Sequence, residues 1–414
     1  MFRWIIFVAI IGIADYYAFQ ALKTVTKSNW WYALYWLFTV AVIGNFIFQF
    51  YGFNRSNGFS QSNALAVGFL IAMVVPKLVL IAVMLTEDVF RVPQGIYSYF
   101  MQDDSASGNQ IKHFPSRRKF ISQIALGLAA IPFASVLYGM YKGKYNFKVL
   151  KYTLNFDDLP EAFDGFRLTQ ISDVHSGSFD NIEKVSYAID LINEQQSDVI
   201  LFTGDMVNNK AEEMLPYVDI FKKLKAKYGL YSVLGNHDYG DYVRWNSEEA
   251  KKQNLEDLKN LQKDIGFDLL LNENRFIEKD GQRIAIIGVE NWGKGGFKKA
   301  GDLKKAASSV DKDDFKILLS HDPSHWDAEV VNDPYHYHLT LSGHTHGMQF
   351  GIEIPGWFKW SPVKWRYKQW AGIYEAVGQY INVNRGFGYL AFPGRVGIWP
   401  EITVIELKKG AKEA

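Results

Sequence analysis

Two runs, RLTQISDVH (Arg167–His175) and VILFTGD (Val199–Asp205), decide how the fold is read. Each opens with apolar residues of strand length, rich in β-branched side chains, and reaches a carboxylate where the apolar run stops. Between them, Asn181 to Gln196 spaces its apolar residues for one face of a helix and its charges for the other. Strand, helix, strand in that order predicts an α/β domain. The same reading makes Leu230–Leu234, Arg283–Val289, Phe315–Ser320 and His338–Ser342 buried strands, and Ala211–Lys227 and Glu248–Ile265 helices. Asp280-Gly281, between Asn274–Glu278 and the Arg283 run, reads as a hairpin turn. The late strands Tyr380–Val383 and Ile402–Leu407 have no helix between them and predict an antiparallel second layer.

Metal-competent side chains stand where the central strands end: Asp173 and His175, Asp205, Asn236 and His237, His321, then His344 and His346. In open α/β sheets ligands bind at that edge, so these groups are expected to converge. The chain has nine histidines, and five of them hold these positions, while His113, His325, His336 and His338 do not. A lone strand-end histidine is usually structural; five in register point to a centre.

The 414 residues carry 45 basic and 44 acidic side chains, a balance that excludes a strongly cationic nucleic-acid binder. With no cysteine, structural disulfides, thiolate metal sites and cysteine nucleophiles are excluded, so any metal must sit on nitrogen and oxygen ligands.

The first 141 residues have another character. Trp30–Phe50 is uncharged, Ala64–Leu85 holds only Lys77, Phe120–Tyr141 is uncharged, and Phe2–Leu22 carries Arg3 and Asp15. All four are long enough to span a bilayer. Asp15, Asn45 and Lys77 are polar points inside these runs and, with no pairing pattern in the sequence, read as packing residues. The polar stretch Met101–Phe114 has loop composition. After it, Ser116-Arg117-Arg118-Lys119-Phe120-Ile121 resembles the twin-arginine export signal, although about 115 residues precede it. That resemblance makes the bacterial export machinery a partner and puts the C-terminal domain outside the cytoplasm, in a multi-pass protein of the inner membrane. Loop charges alone, seven basic residues against six, do not fix the orientation. The expected division is 1–113 as a membrane domain, 114–150 as export-like segment, fourth helix and stem, 151–408 as the catalytic domain and 409–414 as a tail.

Written out, Asp173-Val-His175, Gly204-Asp205, Gly235-Asn236-His237-Asp238, Ser320-His321 and Gly343-His344-Thr-His346 resemble the ordered motifs of the calcineurin-like metallophosphoesterases. The resemblance covers about Leu159 to Leu407 and implies an αββα sandwich behind the N-terminal helices. It implies two divalent ions, Mn, Zn or Fe, one on Asp173, His175, Asp205 and His346, the other on Asp205, Asn236, His321 and His344, with Asp205 as the bridge. It further implies a hydroxide between the ions as nucleophile, His237 as the histidine that contacts phosphate and assists the leaving group, and Asp238 as its orienting carboxylate. Gly204, Gly235 and Gly343 allow backbone to approach the ions. Many relatives have an acid where this chain has Asn208, which leaves the local hydrogen bonding open.

The substrate is less legible. Trp357-Phe-Lys-Trp360 to Trp365-Arg-Tyr-Lys-Gln-Trp370 mixes aromatic and basic residues, as a membrane headgroup layer or an amphiphile would require and as a buried aromatic cluster would also explain. Arg385 and Arg395 are candidates for a second phosphate or for structure. Ser342–Gln349, Trp370–Tyr374 and Asn384-Arg385-Gly386 look like the membrane-anchored or exported bacterial phosphodiesterases and the related UDP-2,3-diacylglucosamine pyrophosphatases. The leading expectation is hydrolysis of a phosphodiester or pyrophosphate bond in a membrane-associated, possibly lipid-linked or cell-envelope substrate. The alternatives are a cytoplasm-facing pyrophosphatase of lipid A synthesis, or a membrane sensor or scaffold with a structural metal site.

Overall fold

The computed structural model describes residues 2–100, 115–354 and 356–410. The chain forms two compact units, Met1–Phe53 with Gln61–Met140, and Asn54–Ser60 with Tyr141–Ala414. The polar stretch Met101–Phe114 lies outside the described residues.

The first unit contains α1 (Phe2–Val25), α2 (Asn29–Tyr51), α3 (Gln61–Phe100) and α4 (Pro115–Tyr141). Each has a segment long and apolar enough to cross a bilayer. Their large apolar side chains, such as Leu37, Val40 and Phe48, face outward, while Ala18, Ala21, Ala125 and Ala129 lie inside with Leu80 and Met84. Small interior residues let the helices pack closely where lipid gives no hydrophobic drive between them. α3 outruns its apolar stretch, continuing beyond Leu85 through Glu87, Asp88 and Arg91; Asp88 is tied to Tyr17 at 2.7 Å.

Asp15 and Lys77 meet in this unit's interior. Lys77 Nζ is 2.7 Å from Asp15 Oδ1 and donates to Thr39 Oγ1 at 2.7 Å, with the Tyr35 ring 4.8 Å below it. Three helices are thus joined at one buried ion pair, while Asn45 remains exposed. Removing one partner of such a pair strands a charge and costs about 3–5 kcal/mol, whereas removing both costs far less. Lys77→Met is therefore expected to lower the thermal midpoint of the detergent-solubilised protein, and Asp15→Asn added to it to restore most of the loss. Equal midpoints for the single variant and the wild type would show that the pair carries no stability.

The second unit is two six-stranded sheets. The first has the order β1 (Lys148–Phe156), β14 (Glu401–Lys409), β2 (Arg167–Ile171), β3 (Val199–Phe202), β4 (Leu230–Ser232), β5 (Phe267–Leu269). The second runs β12 (Gly372–Ala376), β13 (Gln379–Val383), β9 (Leu339–Ser342), β8 (Phe315–Leu319), β7 (Gln282–Gly288), β6 (Glu273–Lys279). A separate hairpin pairs β10 (Ile352–Ile354) with β11 (Phe358–Trp360).

Period-2 alternation assigns each strand's side chains to two cores. Val199 and Leu201 of β3 and Ile284, Ile286, Ile317 and Leu319 of β7 and β8 fill one core, which both sheets share. Ile200 and Phe202 turn the other way, onto α5 (Ile182–Glu194), α6 (Val218–Phe221) and α7 (Glu248–Ile265). Ala285, Ile287 and Leu318 pack on the far side with Leu303, Trp326 and Val330. These are the four layers, helix, sheet, sheet, helix, that the sequence implies.

Three details differ from the sequence reading. Residues 211–227 are not one helix: Ala211–Tyr217 is a tight 3-10 segment containing Pro216, which has no N–H to give an α-helix, and α6 follows it for four residues. The late strands form no layer of their own. β13 lies parallel to β9 and antiparallel to β12 in one sheet, while β14 lies antiparallel to β2 and parallel to β1 in the other, because each offers an apolar face to the shared core. The unit also starts before residue 151. β1 begins at Lys148, and Lys144 ahead of it is buried, paired with Asp180 at 2.5 Å and lying 5.2 Å over the Tyr389 ring.

Candidate metal centre

The predicted residues follow the C-terminal ends of adjacent parallel strands: β2, β3 and β4 in one sheet, β8 and β9 in the other. Backbone bonds lace these ends together. Asp173 N donates to Gly204 O at 2.9 Å, His175 N to Asp205 O at 3.1 Å, and Gly343 N to His321 O at 2.9 Å. The two sheets meet where His344 N donates to the Asp173 carboxylate at 3.0 Å. A side chain on Gly343 would collide with Ser172 and that carboxylate, which is why the close approach needs glycine.

Five of the predicted ligands, Asp173, His175, Asp205, His344 and His346, have φ between 47° and 68°. Each such residue costs about 1 kcal/mol or more relative to ordinary backbone, and strain of this kind is held at sites the surrounding fold over-determines.

The side chains form two adjoining groups, Asp173 with His175 and His346, and Asp205 with His321 and His344. In the first, His346 Nε2 is 3.0 Å from His175 Nε2 and 3.2 Å from Asp173 Oδ1. In the second, His321 Nε2 is 3.1 Å from Asp205 Oδ2 and 3.3 Å from His344 Nδ1. Asp205 Oδ2 is also 3.6 Å from His175 Nε2, so one carboxylate oxygen faces both groups. Asn236 Oδ1 is buried without a hydrogen-bond partner among the described residues, while its amide nitrogen donates to Tyr242 at 2.8 Å. Nitrogen and oxygen donors packed this closely, with an orphaned amide oxygen among them, fit divalent cations.

The electrostatics agree. Burial pushes His175, His237 and His344 below the ordinary imidazole value, His344 down to about 4, which favours the neutral rings that bind cations. Burial would raise Asp173 and Asp205, yet His346 beside the first and His321 beside the second hold both carboxylates below their usual range. His321 runs the other way. Burial opposes its charge, but Asp205 lifts it to about 10, so a cation binding there must displace a proton.

His237 and Asp238 are placed differently from one another. The His237 ring lies among the ligands, 4.9 Å from His175, and stacks on Tyr242 at 4.4 Å. Its Nδ1 donates to the Asn208 carbonyl at 2.8 Å. Asp238 faces the other way and does not orient that ring. Its carboxylate accepts the backbone N–H groups of Asp205, Met206, Val207 and Gly235 at 2.8 to 3.3 Å, tying the β3 and β4 loops together. Burial and the nearby Asp205 charge push it up to about 7. Neighbours in sequence diverge in an extended turn, so adjacency to His237 could not place it.

Glu213 was likewise not read from the sequence; it accepts the Asn208 N–H at 2.6 Å and so supplies a carboxylate to that loop. Nor did the sequence single out Tyr242, or assign Tyr367 its bond to His344 Nε2 at 2.9 Å. Arg385 is held structurally, whereas Arg395 reaches the centre: its Nη2 lies 3.4 Å from His346 Nδ1, and its Nη1 is buried without a hydrogen-bond partner among the described residues. Arg385 is clamped between Glu353 and Glu401, both at 2.5 Å, and Arg395 is wholly buried against the Gly386 and Gly388 carbonyls.

Comparison with known proteins places this geometry. Residues 2–144 match the family described as probable calcineurin-like phosphoesterase, transmembrane domain, and residues 166–348 match the calcineurin-like phosphoesterases. The metallophosphoesterase YkuE of Bacillus subtilis is 30% identical over 71% of this chain and 98% of its own. A metallophosphoesterase of Helicobacter pylori is 25% identical over 97% of both chains. Among solved structures, the phosphopantetheinyl hydrolase PptH of Mycobacterium tuberculosis aligns over 53% of this chain and 88% of that one, with 13% identity and a TM-score of 0.32. The chain belongs to the calcineurin-like phosphoesterase family, as a phosphoester hydrolase whose metal-competent domain follows four transmembrane helices.

Proposed function

We propose that the protein hydrolyses a phosphodiester or pyrophosphate bond in a membrane-associated or cell-envelope substrate, with two divalent cations as cofactors. The observation that carries this reading is the placing of Asp205 Oδ2, 3.6 Å from a ligand atom of one group and 3.1 Å from one of the other. Asp173, His175, Asp205 and His346 would hold one cation, and Asp205, Asn236, His321 and His344 the other. Bound there, the pair supplies a water of lowered pKa and a positive field for the phosphoryl oxygens. The protein's own groups do the rest. His237, with its Nδ1–H committed to Asn208, titrates at Nε2; in its imidazolium form it would give the Nε2 proton to the leaving oxygen and be reprotonated there from solvent before the next turnover. Asp238 keeps the loops bearing Asp205 and Asn236 at fixed separation. A membrane-borne substrate is favoured by the transmembrane domain in the same chain.

The test uses the full-length protein in detergent, stripped with a chelator and reloaded with Mn or Zn. Turnover of bis-p-nitrophenyl phosphate is expected to return in step with two ions per chain by elemental analysis. No turnover with either metal, across phosphodiester, pyrophosphate and lipid-phosphate substrates, would end the proposal.

A further inference from the structure

The β10–β11 hairpin is built inside out. Its register sets Ile352 opposite Trp360, Glu353 opposite Lys359 and Ile354 opposite Phe358, so Ile352, Ile354, Phe358 and Trp360 share one face and the two charges share the other. A hairpin lying on a protein in water normally turns its apolar face to the core. Here the charged face is the one used by the fold. Glu353 is bidentate to the buried Arg385, and Lys359 donates to the Ala371 carbonyl with the Tyr374 ring 4.4 Å away. Three of the four apolar side chains are left in the open, Ile352 56% exposed, Ile354 44% and Phe358 47%, with Trp357 at the turn 80% exposed, while Trp360 is half-buried. Trp365, 75% exposed, extends the patch by packing its edge on Trp360.

The composition around the patch names its partner. From Ile354 to Tyr374 there are four basic residues and no acidic one. Lys364, Arg366 and Lys368 are exposed, while Val363, Tyr367 and Trp370 of the same segment are buried. Tryptophans beside aliphatic side chains, with exposed lysine and arginine in the same segment, suit the interface of a bilayer with anionic headgroups, which attract basic residues. Four basic residues with no acid among them select an anionic surface, and a bilayer is the surface that α1–α4 bring with them.

The same segment grips the metal centre. Tyr367 bonds His344, Thr345 Oγ1 donates to the Trp370 carbonyl at 2.7 Å, and Ser361 Oγ donates to the Gly347 carbonyl at 2.8 Å. We propose that the β10–β11 hairpin, with Trp365, inserts into the headgroup layer of an anionic bilayer and sets the mouth of the metal centre at the lipid surface. The insertion stands on the hairpin alone; its use for phosphorylated lipids rests on the function proposed above.

The chain has no cysteine, so single nitroxide labels can be introduced without background. Labels at Trp357→Cys and Trp365→Cys, in full-length protein reconstituted into phosphatidylcholine–phosphatidylglycerol nanodiscs, are expected to collide with oxygen in preference to a water-soluble nickel chelate. A label at Tyr187→Cys, exposed on α5, is expected to show the reverse. The pair Ile354→Asp and Phe358→Asp should abolish the oxygen preference at position 365 while leaving the thermal midpoint in detergent unchanged. Labels at 357 and 365 that behave like the one at 187 would overturn the proposal. So would spin–spin broadening at 357, which would make the occupant a second copy of the chain.

Discussion

Asp205→Asn is expected to abolish phosphoester turnover, by about 10³-fold or more, and, with the two cations proposed above, to leave one bound ion per chain or none. The substitution keeps size and shape and removes only charge. In the wild type Asp205 Oδ1 accepts the His237 N–H at 2.8 Å, and an amide oxygen can do the same, so the loop should stay in place. Oδ2 has no substitute. It faces His175 and His321 together, and it is the charge that keeps His321 protonated up to about 10 when no cation is present. Without that charge both groups lose their common anionic ligand, and the stabilisation of developing phosphoryl charge is lost with the ions. Elemental analysis and turnover of bis-p-nitrophenyl phosphate check the two halves separately. Two ions per chain and near wild-type turnover in the variant would remove Asp205 from the bridge.

His237→Ala should separate chemistry from metal binding. The ring is held by Asn208 and Tyr242 rather than by a ligand carboxylate, so both ions are expected to stay. Loss of a general acid costs about 10² to 10⁴ in rate when the leaving group needs a proton. For an alkyl or sugar-phosphate leaving group the variant should fall within that range. For p-nitrophenolate, which departs without a proton, the loss should be under about tenfold. Equal losses for both leaving groups would make His237 a phosphate contact instead, and loss of metal would make it part of the ligand scaffold.

How much of this was legible follows from what each signal encodes. Strand cores were readable because the fold buries both faces of β3 and β8, and a run such as Val199–Phe202 has no other use. The convergence of the candidate ligands was readable because they sit at strand ends in fixed order, and parallel strands bring those ends together. Orientation was not. Asp238 and His237 are neighbours in the chain yet serve opposite sides of the loop, and nothing in Gly235–Asp238 says which way either points. Long-range partners were equally silent. Glu213 completes the Asn208 loop from the 3-10 turn, and the link from Lys77 to Asp15 crosses 62 positions with no local pattern. The aromatic run around Trp357–Trp370 was read two ways: Tyr367 and Trp370 are buried in a small core, as an aromatic cluster requires, while Trp357 and Trp365 are exposed and carry the proposal made above.

The buried stem has a practical consequence. β1 covers the edge of β14 along its whole length, from Lys148 against Glu401 to Phe156 against Lys409, and Gly143 lies so close to the Arg395 carbonyl that a side chain there would collide with it. A detergent-free version of the enzyme cut at residue 151 would therefore lose the partners of Glu401, Ile402 and Thr403 together with the buried Gly143 and Lys144, leaving the start of β14 an open edge prone to strand-to-strand association. The useful cloning boundary lies upstream of Gly143.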